Sequence, residues 1–222
     1  MLDLVLPQRC LVCAAAGRQL CSDCRSSLPR IEPPLCECCG APTAWPVERC
    51  RECSGRRLGF ATARAAVAYD AAVRRLVAGC KERGLRTLAG EAAVIVAERV
   101  ARPDDAVLTF VPADPGRRLH RGHNPAERLA EALSDVWALP CERLLTRVAG
   151  GQRQRGLSLA ERRRNVSGAF ATRATSGSSV VLVDDVYTSG ATAAAAATAL
   201  RREGAPRVDV VSFARAIRGH VN

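Results

Sequence analysis

Beyond residue 60, short apolar runs alternate with longer stretches in which apolar side chains recur at helical spacing. Ala61–Tyr69 reads as a strand, and Ala71–Cys80 and Leu85–Val100 read as helices separated by Gly84. Ala106–Val111 is a second strand, closed by Pro112, which lacks the N–H a ladder needs. Asn124–Ala138 predicts a helix with Leu129, Leu133 and Val136 on its apolar face, and a strand near Cys141–Thr146 follows. Val180–Val183 are consecutive apolar residues, the pattern of a strand buried on both faces. A helix over Ala193–Arg202 comes next, stopped by Gly204, and Val208–Phe213 makes a closing strand. Strands alternating with helices in this way predict an α/β domain, a parallel sheet flanked by helices, over residues 60–222.

Residues 1–57 show no such period. They carry four C-x-x-C pairs, Cys10/Cys13, Cys21/Cys24, Cys36/Cys39 and Cys50/Cys53, separated by seven, eleven and ten residues. Each pair can form a knuckle, and two knuckles complete a tetrahedral Zn²⁺ site. Sequential pairing gives two zinc ribbons, over 10–24 and 36–53; interleaved pairing also satisfies the spacing. Gly40 suits the turn of the third knuckle, and Cys38 is read as a spare thiol beside Cys39. With Pro33, Pro34, Pro42 and Pro46 and few large apolar residues, this stretch cannot bury a core of its own. It draws its folding energy from the metal, at an apparent ~10–16 kcal/mol per structural site. Four thiolates leave no open coordination position, so two structural Zn²⁺ ions are expected rather than a catalytic one. Ser54–Gly59 reads as the hinge between a zinc-ribbon module, 1–57, and the α/β domain. Cys80 and Cys141, with no partner spacing, read as buried small hydrophobes.

Eleven cysteines behind an opening, Met1–Pro7, too short and acidic for a secretory signal point to metal rather than disulfides and to a cytoplasmic protein. No apolar run is long enough to span a bilayer, so no membrane insertion is expected. Formal charge is +11, from 33 basic and 22 acidic residues, and Lys81 is the only lysine. Each tetrathiolate zinc site carries net −2, so two such sites leave about +7. That balance suits nucleic acid or polyphosphate partners without choosing between them.

The chemistry is concentrated where the apolar strand runs into Asp184 and Asp185, then Thr188-Ser189-Gly190-Ala191-Thr192, then the alanine-rich helix. Ligands of open α/β sheets lie beyond the carboxyl ends of strands. Backbone N–H groups opening a helix suit a phosphate, and the two carboxylates suit sugar hydroxyls or a hydrated Mg²⁺. The bland account is an Asp-rich turn in which Thr188 or Ser189 serves only as N-cap. Two arginine-rich loops, 111–124 and 147–165, interrupt the α/β alternation. Between 117 and 164 eleven arginines face five acids, the cations a diphosphate leaving group needs. His120, His123 and His220 read as loop or tail histidines, since no Ser-His-Asp arrangement can be argued from their spacing.

The 180–192 string resembles the phosphoribosyl pyrophosphate (PRPP) loop of type I phosphoribosyltransferases: a hydrophobic strand, two acids, then Thr-Thr/Ser-Gly-x-Thr. The resemblance implies that Asp184 and Asp185 hold the ribose hydroxyls and act in catalysis, and that Thr188, Ser189, Gly190, Ala191 and Thr192 wrap the 5-phosphate. With the cysteine module in front, nearly the whole chain resembles the ComF family, which couples a zinc-ribbon region to a type I phosphoribosyltransferase-like domain. The family's Arg-Gly-Phe-Asn-Gln string appears as Arg121-Gly122-His123-Asn124-Pro125, departing at 123 and 125. Its Gln-x-x-Leu-Ser…Arg-x-x-Asn-Val…Ala-Phe pattern appears as Gln154, Leu157, Ser158, Arg162, Asn165, Val166, Ala169 and Phe170, and Lys81-Glu82-Arg83-Gly84 resembles a further family element. The implied reaction is displacement of pyrophosphate from PRPP with Mg²⁺, with Lys81, Arg118 and Arg121 around the leaving group and the 147–165 loop closing over the site. The implied alternative is a non-catalytic PRPP or nucleotide binder working on single-stranded DNA, with competence or recombination proteins as partners.

Overall fold

The computed structural model describes residues 8–82, 85–114, 122–148, 169–173 and 177–217. A short helix α1 (Ser22–Ser26) lies in the cysteine-rich segment. It is followed by β1 (Thr62–Ala68), α2 (Ala71–Glu82), α3 (Arg86–Ala97), β2 (Val107–Phe110) and α4 (Pro125–Trp137). Then come β3 (Leu145–Arg147), β4 (Phe170–Thr172), β5 (Val180–Tyr187), α5 (Ala191–Arg202) and β6 (Val208–Arg215). β1, β6, β5 and β2 form, in that order, an all-parallel sheet.

Side-chain alternation along the central strand divides the core. Val181 and Val183 of β5 pack with α2, α3 and α4 on one face. Val180 and Leu182 pack on the other against Ala193, Ala196, Ala197 and Leu200 of α5. The small alanines let α5 lie close to the sheet. Past its last turn, Gly204 at φ +96° lets the Ala205 N–H reach the Leu200 carbonyl at 3.1 Å, closing the helix.

Three elements differ from the pattern-based expectation. β5 does not stop at Val183; it runs on through Asp184 and Asp185 to Tyr187, because β6 continues beside it to Arg215 and pairs in register, Asp184↔Ser212 and Tyr187↔Arg215. A ladder is made by backbone groups, so polar side chains do not end it. The apolar stripe of α4 is Ala126, Leu129, Ala130, Leu133 and Trp137, whereas Val136 is exposed. The strand expected over Cys141–Thr146 divides: Cys141 makes one parallel bridge to Leu108, and Leu145–Arg147 turns away to pair antiparallel with Phe170–Thr172. A three-residue strand such as β4 carries too little alternation to be seen in sequence.

The cysteine-rich segment covers the free edge of β1. Ile31 N–H donates to Ala66 O at 3.1 Å, Ala68 N–H to Pro29 O at 2.8 Å and Ala63 N–H to Cys38 O at 2.8 Å. These bonds satisfy donors and acceptors that an edge strand otherwise offers to another chain. Leu58 and Phe60, flanking the expected hinge, are buried in one core with Cys36, Cys39, Cys53, Tyr187 and the α5 alanines. No helix among the described residues is long and apolar enough to cross a membrane.

Candidate functional site

Asp184 and Asp185 stand in the last half of β5, at the carboxyl end of the sheet. Asp185 follows Val181 and Val183 onto the α2 face, and its Oδ2 lies 2.7 Å from Lys81 Nζ near the end of that helix. The chain's one lysine is thus fixed on the acidic pair. Asp185 N–H donates to Asp184 Oδ1 at 2.9 Å. Burial, and then the negative charge of Asp185, pushes the Asp184 carboxyl up to about 8.

Beyond Tyr187 the chain turns through Thr188 and Ser189 into Gly190, which caps α5 at φ +68°. A Cβ at this position would fall 2.2 Å from Tyr187 Oη, so both the backbone and the packed tyrosine demand glycine. Thr188 and Ser189 are exposed, and neither is the N-cap residue; Ser189 Oγ accepts only a long 3.4 Å bond from Ala191 N–H. The N–H groups of Ser189, Gly190, Thr192 and Ala193 meet no acceptor among the described residues. Four donors gathered at a helix start form a place for an anion.

The neighbouring strand end is tied to this rim. Val111 N–H donates to Val183 O at 3.0 Å. Asn124 Nδ2 donates to Val111 O at 3.0 Å, while Asn124 Oδ1 caps α4 by accepting from Ala126 N–H. His123 also lies here, its Nε2 2.7 Å from Cys80 O, so it joins α2 to the start of α4. A pocket of about 190 Å³ opens on the same rim beside β2, between Phe110, Pro112, Asn124, Arg143, Leu145 and Arg147. It is one strand removed from the acidic pair. Arg118, Arg121, His120, His220 and the 149–165 part of the second arginine loop lie outside the described residues.

The eight C-x-x-C cysteines gather into two groups of four, Cys10/Cys13/Cys21/Cys24 and Cys36/Cys39/Cys50/Cys53, with the sulfurs of each group within 4.8 Å of one another. Sγ···Sγ separations are 3.7 Å for Cys13/Cys21, 3.6 Å for Cys36/Cys53, 3.5 Å for Cys39/Cys50 and 4.0 Å for Cys50/Cys53. A tetrahedron with Zn–S of about 2.3 Å has an edge of about 3.8 Å, so these separations fit thiolates around Zn²⁺ and are far too long for disulfides. The pairing is sequential. Gly40 closes the third knuckle at φ +69°, where a Cβ would strike Ala63 O at 2.2 Å. Cys38, outside both groups, is buried, and its carbonyl bonds β1. Cys80 and Cys141 are half-buried, each pushed up to about 11 mainly by burial.

One residue escaped the sequence reading. Arg215 closes β6 with 2% exposure and reaches the second cysteine group: Nη1 donates to Cys39 O at 2.6 Å, and Nη2 pairs with Glu52 Oε2 at 2.7 Å. Its guanidinium also lies 4.6 Å above the centre of the Tyr187 ring. An arginine after an apolar run signals only the end of a strand; its partners are 176 and 163 residues away.

Fold and site together define a class: a cysteine-rich double zinc ribbon joined to a parallel α/β domain with an acidic strand end and a helix start whose first amides meet no acceptor among the described residues. Residues 1–54 match the family model of the double zinc ribbon domain. Over nearly its whole length the chain is similar to competence protein F of Haemophilus influenzae, at 29% identity across 94% of this chain and 97% of that protein. It is equally similar to the DNA utilization protein YhgH of Salmonella typhimurium, at 29% identity across 96% of this chain and 100% of that protein. A glutamine PRPP amidotransferase from B. subtilis, complexed with ADP and GMP, aligns at 23% identity with a TM-score of 0.42 over 57% of this chain and 26% of that one.

Proposed function

We propose that the chain binds PRPP and transfers its phosphoribosyl group to a nucleophile with release of pyrophosphate. The carrying observation is the pairing of a strand-end acidic couple with a helix start whose amide donors have no acceptor within the described chain. In this reading the Ser189–Ala193 amides and the Thr188, Ser189 and Thr192 hydroxyls hold the 5-phosphate. Asp184 and Asp185 accept from the ribose hydroxyls. Those donors replace the water that Asp184 loses on burial and draw its raised pKa back down. The nucleophile forms its bond to C1 as the C1–O bond to pyrophosphate breaks, the electron pair leaving with pyrophosphate. C1 passes through an oxocarbenium-like state, which nearby carboxylates favour. Lys81, paired with Asp185, supplies a cation at the acidic couple, and Arg118 and Arg121 are assigned to the leaving group by the family resemblance. Mg²⁺, bound with the substrate, adds charge neutralisation at the diphosphate.

Calorimetric titration with PRPP and Mg²⁺ tests binding: wild type should give a one-to-one isotherm that Asp184→Ala/Asp185→Ala abolishes. Equal affinity in the double variant removes the assignment. Pyrophosphate release over a panel of bases and amines then tests transfer.

A second reading is favoured by the names of the two full-length relatives and by the basic balance of the chain. Here a PRPP- or nucleotide-binding protein acts on single-stranded DNA without catalysis. Phosphate contacts predict a steep fall of DNA affinity with salt, whereas a flat log–log slope counts against it.

A further inference from the structure

The second cysteine group and the phosphate-binding turn share a single buried relay. The Gly190 position is filled by the Tyr187 ring, since a Cβ there would lie 2.2 Å from Oη, 2.5 Å from Cζ and 3.0 Å from Cε2. Tyr187 is buried and is fixed edge-on by Phe60, with ring centroids 6.3 Å apart and planes at 78°. Its remaining face is covered by the Arg215 guanidinium. That guanidinium is held in turn by Cys39 O and Glu52 Oε2, and its Nη2 lies 3.8 Å from Cys39 Sγ. Cys39 is a member of the second group, and Glu52 lies between the members Cys50 and Cys53.

Arg215 Nε is buried without a hydrogen-bond partner among the described residues. A buried cation so incompletely bonded must be balanced by charge. One carboxylate, Glu52, is present, and a tetrathiolate zinc site supplies net −2 beside it. The guanidinium therefore has a strong reason to stay over Tyr187 only while the cysteine group is assembled.

We propose that Arg215 is a positioning residue that couples the state of the Cys36/Cys39/Cys50/Cys53 site to the Thr188–Thr192 turn by pressing Tyr187 against Gly190. Loss of the metal frees the guanidinium, unpacks the ring and loosens the turn, so that anion affinity falls without any contact between zinc and ligand. The proposal rests on the PRPP reading only for the identity of the anion; the coupling itself does not.

The test uses the full-length zinc-loaded chain and its Arg215→Met and Glu52→Gln variants. Zinc content, amide exchange at Ala194 and PRPP affinity are the readouts. Ala194 N–H donates to Gly190 O at 2.8 Å and so reports the turn from a chain position remote from Arg215. Both variants should exchange Ala194 at least tenfold faster, with the central amides of β5 and β6 within twofold of wild type, and lose at least tenfold in PRPP affinity. Chelator removal of the zinc held by Cys36, Cys39, Cys50 and Cys53 should reproduce the Ala194 effect in wild type. Unchanged Ala194 exchange in the variants overturns the proposal, as does acceleration spread evenly over the whole sheet. If Arg215→Met does not fold, Glu52→Gln decides alone, because Glu52 is part-exposed and glutamine keeps its side-chain volume while removing the charge. Wild type that ignores PRPP but keeps the turn-specific exchange effect removes the proposed function and upholds the coupling.

Discussion

At the residue scale, Gly190 and Asp184 carry the sharpest expectations. Gly190→Ala forces an L side chain into the left-handed region at about 1–2 kcal/mol and against a fixed ring at about 1–3 kcal/mol more. Denaturant unfolding should register a loss of that combined size, and PRPP binding should vanish with it; a stable, binding-competent Gly190→Ala protein contradicts the geometry of the turn. For Asp184, the folded pKa of about 8 lies above the ordinary 3.8. Its contribution to stability is complete below the ordinary value and is lost as pH rises through about 8. Asp184→Asn should therefore raise the melting temperature of the ligand-free protein, by an amount that grows between about pH 4 and pH 8. A difference independent of pH over that window would show that the carboxyl is not held protonated. The acids and the glycine were both legible in the sequence, because their chemistry is local. Their setting was not: nothing near Asp185 in sequence announces Lys81, and nothing near Gly190 announces that a tyrosine three residues back occupies its side-chain space.

Among the elements, α4 and α2 fix the rim around the acidic pair. Asn124 ties α4 to the end of β2 through both ends of its amide, and it is buried. Asn124→Ala removes the cap, worth about 0.5–2 kcal/mol, and leaves the Val111 carbonyl without its side-chain donor at about 1–3 kcal/mol more. Chemical denaturation should find a loss near the sum, with Asn124→Asp recovering the cap but not the donor. The α2–β5 connection behaves differently, because Lys81 and Asp185 remain partly exposed. Lys81→Met should change stability by no more than about 1 kcal/mol while weakening PRPP binding, a separation that unfolding and calorimetry read independently. Periodicity located these helices within a few residues, since amphipathic spacing is written into the chain. It mistook Val136 for a core position because apolar character alone does not say which side of a helix meets the sheet; Trp137, one residue on, fills that space instead.

For the whole molecule, the cysteine-rich segment is part of the α/β domain's packing rather than an appendage. It covers the β1 edge and shares a core with α5 and with Tyr187 at the end of β5. Stripping both zinc ions should therefore lower the melting temperature of the whole chain in one transition, not release a ribbon segment from an unaltered domain. Two separate transitions by calorimetry, the upper one at the zinc-loaded temperature, would show that the packing does not couple them. Zinc counts should fall from two to one per chain in Cys53→Ser and stay at two in Cys38→Ser, which atomic emission measures directly. The sequence alone determined what depends on neighbours along the chain: the C-x-x-C knuckles, the apolar strand running into two acids, the glycine-opened helix and the alternation that makes a parallel sheet. Only tertiary structure decided what joins distant segments: sequential assembly of the cysteine groups, the reach of Lys81 to Asp185, and the burial of Arg215 between Cys39, Glu52 and Tyr187. Backbone propensity and side-chain period act over a few residues, whereas burial and ion pairing depend on which surfaces the fold brings together.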